Sequence, residues 1–473
     1  MKQIMRLLVV AMCSMILASA CSKDDESGSV TLEQKALFLD WGERVTISFS
    51  GDNISTYSIS SYPEGWEEPT IDMATMTITV VAPEEGTEAA ETGTIRLRGV
   101  IPGGEYVSAS LYVALNTLEV DFSAQPANCY IASKPNAYYT FDATRKGDGS
   151  QIATASVDII WQTSMSLVQY LTFDNGKVSF YLLADADDAT RPKGGNALIG
   201  GYDAAGNLLW SWHIWIAGFD AEAEALDYGA YKVMSRHLGA TVNSNASQQD
   251  ILDSYGVYYQ YGRKDPFIGP STYNASRGIA RTLFDAQSET VTTKMVASDS
   301  ETGNYAYTNA NPTHFITTED KSADWCREIN NEVKGWSASQ KSVNDPCPYG
   351  WRVAPAAAFS NLQITEDVTA ADAASTYAAA YGWTLSNGST SSFYFAAGRR
   401  LYVDGLISNI YDDSLLGRNA AYEFQPWVGY NWTADSSVFA FWFNKANPTT
   451  SGVRNDLQMG RANGLSVRCV REK

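Results

Sequence analysis

Three histidines, six cysteines and 53 acidic side chains are the groups in this 473-residue chain with the most chemical potential. Nucleophilic hydrolysis needs an activated nucleophile, a base beside it and a third group that orients the base. His213, His237 and His314 each stand alone, and none lies in a serine- or cysteine-hydrolase string. His213 falls within an aromatic strand-like run, where a packed, hydrogen-bonded ring is expected. A glycosidase carboxylate pair needs no histidine, but with so many acids no pair stands out, and solvated surface carboxylates are the expectation. A calcium loop converges several oxygens at fixed spacing. Asp185-Ala186-Asp187-Asp188 and Asp412-Asp413 are acidic without that spacing. Gly147-Asp148-Gly149 and Gly194-Gly195 lack the strand and helix context of a phosphate loop and read as turns. The chain is therefore not expected to be an enzyme, and no cofactor or metal is expected.

Binding is the chemistry the residue types favour. Tyr394, Tyr402, Tyr411, Tyr422, Trp427, Tyr430, Trp432 and Trp442 crowd the C-terminal part with Arg399, Arg400 and Asn431. Rings stack on sugar faces, while amides and guanidinium groups bond hydroxyls. Trp351, Trp432 and Trp442 are assigned to core packing. Tyr402, Tyr411, Tyr422, Trp427, Tyr430 and Asn431 form the candidate ligand-binding set, on loops expected between about Gly398 and Asn447.

The N-terminus carries Lys2 and Arg6, then an apolar run from Leu7 to Leu17, the layout of an export signal. That run is too short to span a bilayer as a helix. Leu17-Ala18-Ser19-Ala20-Cys21 resembles a bacterial lipoprotein signal, although Ala18 stands where leucine is usual. The resemblance implies lipidation at Cys21. The following Ser22-Lys23-Asp24-Asp25-Glu26 resembles the acidic tag of Bacteroidetes surface lipoproteins, implying an outer-membrane, cell-surface location. Ala18 and Ala20 also fit ordinary cleavage, which would leave Cys21 as a free thiol. With Cys13 and Cys21 set aside, Cys129, Cys326, Cys347 and Cys469 remain. Four cysteines in an oxidising compartment allow three disulfide connectivities, and none of them is at CxxC spacing.

Length suggests roughly three domains after the signal. Net charge is -19, a surface that repels phosphate backbones and argues against nucleic acid as a partner. Charged residues make up 18%, while Tyr (27), Trp (13) and Gly (36) are abundant, a mixture that favours strands and turns. Residues 21–30 read as an acidic tether. Residues 31–117 alternate with period two in short runs such as Val45 to Ser50, Met76 to Val81 and Thr94 to Arg98, predicting an Ig-like β-sandwich. Trp41 and Trp66 are expected to pack in its core or at strand edges.

Residues 118–228 predict a second sandwich-like module, with strands over Ala155–Gln162, Tyr170–Phe173, Val178–Leu183, Ala197–Tyr202 and Leu208–Ile216. Asp203 to Asn207 is its hairpin turn. In the last strand Trp210, Trp212 and Ile214 should face one way, with Ser211, His213 and Trp215 opposite.

Residues 229–473 contain VMSRHLGA (Val233 to Ala240), YYQYGRKDPF (Tyr258 to Phe267), DPCPYGWRVAP (Asp345 to Pro355), Tyr430-Asn431-Trp432-Thr433 and GLSVRCV (Gly464 to Val470). In that order these strings resemble the Fibrobacter succinogenes major paralogous domain, which is related in shape to C-type-lectin-like folds. Ser235-Arg236-His237 stands where that family usually has Asp-Arg-Asn, and the calcium-dependent sugar motif of lectins is absent. The resemblance implies an irregular α+β domain after the two sandwiches in a mainly β chain. Short helices are expected at Pro355–Leu362 and Asp324–Val333. It also implies a bridge between Cys347, in the family-like turn, and Cys469, in the last strand; Cys129 and Cys326 are then either a second bridge or two buried thiols. The implied role is a lipid-anchored surface binder for adhesion or glycan capture, with a glycan or a host or bacterial surface ligand as partner. A fimbrial accessory or tip subunit partnered by pilins and a polysaccharide hydrolase are the alternatives.

Overall fold

A computed structural model describes residues 27–272, 277–319, 324–328, 335–337, 340–373, 382–408, 421–427, 435–443 and 448–472. For 277–278, 408, 421–427, 435–443, 450 and 455–459 it describes the backbone alone. The chain is mainly β and divides into two compact units, residues 1–119 and 120–473. No helix among the described residues is long and apolar enough to cross a membrane.

The first unit is two four-stranded sheets around one core. One sheet orders Ser29–Leu32, Arg44–Asp52, Thr77–Val81 and Thr70–Asp72; the other orders Ala36–Leu39, Tyr106–Leu115, Thr92–Val100 and Thr56–Ser61. Period-two alternation explains it directly. Along Arg44–Asp52, Ile47 and Phe49 are buried while Thr46, Ser48 and Ser50 are exposed. Ile78, Val80, Ile95, Leu97, Leu111 and Val113 complete the core. Trp66 is buried and its indole N–H donates to the Ala90 carbonyl at 2.8 Å; Trp41 packs half-buried against the same cluster.

The second unit opens with a two-layer arrangement of the same kind. A six-stranded sheet orders Cys129–Ala132, Leu208–Ile216, Gly195–Tyr202, Ser156–Gln162, Leu283–Phe284 and Thr290–Val291. A four-stranded sheet orders Gln169–Asp174, Lys177–Leu182, Ala137–Asp142 and Leu118–Asp121. Tyr139, Phe141 and Phe180 of the smaller sheet share a core with Ile199, Trp212 and Ile214 of the larger. The Asp203–Asn207 turn closes as a hairpin, with the Asp203 carboxylate accepting from the Ala205 and Asn207 amides.

The parity of Leu208–Ile216 follows the pleat, and both faces are covered. Trp210, Trp212 and Ile214 enter the inter-sheet core. Trp215 enters a different core with Tyr259, Tyr261, Trp336, Trp351, Leu465 and Val467. Residues before and after position 228 thus share one hydrophobic cluster, and Leu283–Phe284 extends the sheet begun at Ser156–Gln162. Both faces of this strand are buried from Trp210 to Ile216, and residues 120–473 form one compact unit with no division at Tyr228.

Beyond Tyr228 the strands are short and the connections long. Val257–Gln260 is flanked by Phe267–Ile268 and Gly464–Leu465, and Arg399–Arg400 and Ile407–Ser408 continue that sheet. Cys469–Arg471 pairs with both Lys232–Val233 and Trp351–Val353, bringing the C-terminus back to the start of this region. A disulfide joins Cys347 to Cys469 with Cα atoms 6.1 Å apart, while Cys129 and Cys326 are buried and not disulfide-bonded. The described α-helices are Gln248–Ser254 and Tyr305–Ala310, capped by the Ser247 and Asn304 side chains.

Two helix expectations are corrected. Ala356–Phe359 is a single 3-10 turn after Pro355 rather than a helix through Leu362. Asp324 to Glu328 is not helical, and 329–333 lies outside the described residues. The Asp324 carboxylate pairs with Arg461 and caps the Cys326 amide, while the Trp325 indole donates to the Tyr261 carbonyl. The bonds to Arg461 and Tyr261 tie the segment to distant parts of the chain in place of a helix.

Candidate binding site

Of the described members of the expected aromatic surface, Tyr402 lies in a turn and Tyr422 and Trp427 lie in a strand. Tyr402 is half-buried against the cluster of Tyr305, Ile316, Trp325, Cys326 and Ala462, and its carbonyl accepts from the Thr318 amide at 2.9 Å. Tyr422 and Trp427 sit in a strand, Ala421–Trp427, opposite Trp442 and Val438 of Asp435–Phe443, with a register shift beside Pro426. Gly452–Gly460 adds a third strand. Ala421–Phe424 alternates with period two, the pattern a strand uses. Tyr411, Tyr430, Asn431, Trp432, Asp412 and Asp413 lie outside the described residues, as does Cys21. Tyr394 is buried, with its hydroxyl 2.9 Å from that of Tyr228. Trp351 is buried, in keeping with a packing role.

Each histidine has a structural partner. His213 is buried, with Nε2 2.9 Å from Asn196 Oδ1 and Nδ1 3.2 Å from the Tyr259 hydroxyl. Burial pushes its pKa down to about 3, so the ring is neutral. Nδ1 of His237 lies 3.3 Å from the Tyr255 carbonyl, and Nδ1 of His314 lies 2.9 Å from the Tyr307 hydroxyl. No group of three or more metal-ligating side chains occurs among the described residues. Asp185 and Asp188 close their own loop, accepting from Asp187, Thr190 and Arg191. Asp148 likewise caps Ser150 within its turn.

A groove of about 430 Å³ in the second unit gathers polar groups that no motif announced. Thr163 and Ser164 follow the strand Ser156–Gln162, Asn196 opens Gly195–Tyr202, and Arg191 and Lys193 end the loop between the sheets. Gln249, Asp250 and Asp253 come from the helix Gln248–Ser254, and Arg281 from the approach to Leu283–Phe284. Gly256 turns the chain out of that helix at φ +72°, where a Cβ would stand 2.3 Å from the Leu238 carbonyl oxygen. Only glycine fits there.

The groove's charges balance, with three carboxylates facing three cations. Asp253 accepts from Arg281 at 2.7 Å and from Gln249 at 2.8 Å. Asp185 pairs with Arg191 at 3.3 Å, and Asp250 accepts from the Ser244 hydroxyl at 2.7 Å. Beneath them the Asn196 side chain donates to the Gly239 carbonyl at 2.9 Å, and its amide donates to Thr163 Oγ1 at 3.0 Å. The walls are therefore pre-arranged and neutral overall. They can offer hydrogen bonds to a polar, uncharged ligand.

No known family matches the chain, and no curated protein does. Among solved structures it is similar to the D00-D0 domain of intimin, at 11% identity over 40% of this chain and 96% of that one, TM-score 0.17. The Bacteroides ovatus mixed-linkage glucan utilization locus SGBP-B, solved with a mixed-linkage heptasaccharide, matches at 12% identity over 38% and 42%, TM-score 0.12. The fibronectin(III)-like modules of Clostridium thermocellum CbhA match at 15% over 40% and 94%, TM-score 0.15. At such TM-scores these likenesses carry no role over to the chain.

Proposed function

We propose that this protein is a lipid-anchored cell-surface binder that captures an uncharged, hydroxyl-rich ligand, a neutral glycan, without transforming it. The charge-balanced groove between Lys193, Gln249 and Arg281 is the observation that carries this reading. A net charge in the walls would select an ion. Paired charges with amide and hydroxyl neighbours instead match hydroxyls that both donate and accept. The export signal and the Cys21 string support exposure at the surface. The histidines, each engaged with a structural partner, support retention over turnover.

Affinity electrophoresis of the mature chain through neutral polysaccharides tests the proposal. Lys193 and Gln249 are exposed, so alanine at each should leave the melting temperature unchanged while weakening retention several-fold. Retention insensitive to both substitutions moves the site elsewhere. New reducing ends released from the polysaccharide would replace capture by hydrolysis.

A further inference from the structure

A second groove in the same unit has a different character. It encloses about 470 Å³, and its lining includes Ile268, Ile279, Leu283, Val291, Met295 and Leu406. Ile279 is 79% exposed, Leu406 44% and Met295 39%, so large apolar side chains face solvent at one place. Contiguous exposed apolar surface marks an interaction site more often than scattered single residues do.

The groove's electrostatics run against those of the chain. The protein has 53 acidic residues and 34 basic ones, yet the charged residues lining this groove are Arg281 and Arg400. Arg281 is paired with Asp253. Arg400 is fully buried and donates to the Gly405 carbonyl at 3.1 Å and to the Ile268 carbonyl at 2.9 Å. Its Nε–H has no partner, and no carboxylate pairs with it among the described residues. Burial lowers the guanidinium only to about 10, so it remains cationic at neutral pH. A buried cation with no counter-ion among the described residues, beside an apolar wall, is complementary to an anion carrying an apolar tail.

We propose that this groove binds a free long-chain carboxylate, its alkyl chain against Ile279, Met295 and Leu406 and its head group held by Arg400. The volume lies within the usual range for small-ligand sites. An extended peptide fits the surroundings less well. The flanking edge strand, Thr290–Val291, pairs with Leu283–Phe284 over only two residues. A peptide backbone would find few ladder partners there, whereas an alkyl chain brings no polar backbone to satisfy. The inference does not rest on glycan capture, since the glycan reading is tested at Lys193 and Gln249, outside this groove.

Calorimetric titration of the mature chain with palmitate below its micelle concentration tests it. Hexadecanol, acetate and an apolar peptide bearing one glutamate serve as comparison probes. Saturable one-to-one binding of palmitate is expected, with hexadecanol at least tenfold weaker and acetate inert. Ile279→Glu places a carboxylate in the groove at an exposed position, so it should weaken palmitate at least tenfold without shifting the melting temperature. If that variant fails to fold, Leu406→Glu provides the same readout. Equal affinity for hexadecanol, tighter binding of the peptide, indifference to both substitutions or no saturable palmitate binding would each overturn the proposal.

Discussion

The two units solve the same problem, burying a β-rich chain, by different means. Among the described residues of the first unit every charged side chain is at least partly exposed, and the core is aliphatic and aromatic. Every buried charged or strongly polar residue among those described belongs to the second unit, including Arg263, Lys264, Asp265, Asp345, Arg400 and Arg468. The sandwich satisfies its backbone through long ladders, nine residue pairs between Thr92–Val100 and Tyr106–Leu115 alone. The second unit has many two-residue strands, which leave carbonyls in need of donors.

Side chains supply those donors. Arg468 donates to the Met234 and Ser235 carbonyls, and Gln260 to those of Ile316 and Ala462. Lys341 reaches the Cys347 and Trp351 carbonyls, and Asn128 those of Val343 and Asp345. Asp345 in turn caps the Cys347 and Val353 amides. Buried charge in this fold stands in for missing ladder, which also explains why most of it need not be catalytic.

The contrast breaks most visibly at Lys264. Its ammonium is buried, bonded to Ser211 and 2.6 Å from the Asp265 carboxylate, and lies over the Trp210 ring. Burial lowers its pKa, which Asp265 opposes. Lys264→Ala leaves that carboxylate buried and unpaired, which should cost about 3–5 kcal/mol. Calorimetry should show the melting of the second unit fall while the first unit's transition stays in place. A variant that melts like the parent would show the pair to be dispensable.

Reduction is the next test. The Cys347–Cys469 bridge closes a long loop wholly within the second unit, and residues 27–119 contain no cysteine. Dithiothreitol, or serine at both positions, should destabilise the second unit by roughly 2–5 kcal/mol and leave the first untouched. Peptide mapping without reductant should recover Cys347 linked to Cys469. Linkage of either to Cys129 or Cys326 would refute the pairing.

Acid sharpens the comparison by the smallest increment per step. The His213 pKa falls from 6.5 to about 3 on folding. Its contribution is full above pH 6.5, where the ring is neutral in both states. Below that the unfolded chain takes up a proton the folded chain refuses, so stability declines until about pH 3. The slope is at most about 1.4 kcal/mol per pH unit. The first unit has no histidine, so between pH 6.5 and 5 only the second unit's transition should move. His213→Gln should flatten that dependence; an unchanged slope would assign it to another group.

Legibility in the sequence follows the range of the forces involved. Alternation within Arg44–Asp52 or Leu208–Ile216 is local, because the pleat sends successive side chains to opposite faces whatever lies beyond them. Strands, the hairpin at Asp203–Asn207 and the opposed faces of Trp212 and His213 could therefore be read without coordinates. The same alternation is present at Ala421–Phe424, where it is embedded in loop-like aromatic sequence. The bridge followed from the resemblance of the Asp-Pro-Cys-Pro turn and the closing strand, not from spacing.

What the sequence alone determined was thus the pattern of strands and which residues share a side of each. Whether a side meets solvent or a second core was decided by tertiary structure: Tyr259, Lys264 and Asp265 cover the side that carries Ser211, His213 and Trp215. Both grooves belong to that second category. Thr163, Lys193, Asp253 and Arg281 meet only because a strand end, a loop, a short helix and a turn converge. Contacts between positions so distant depend on how whole layers pack, and no local periodicity encodes them.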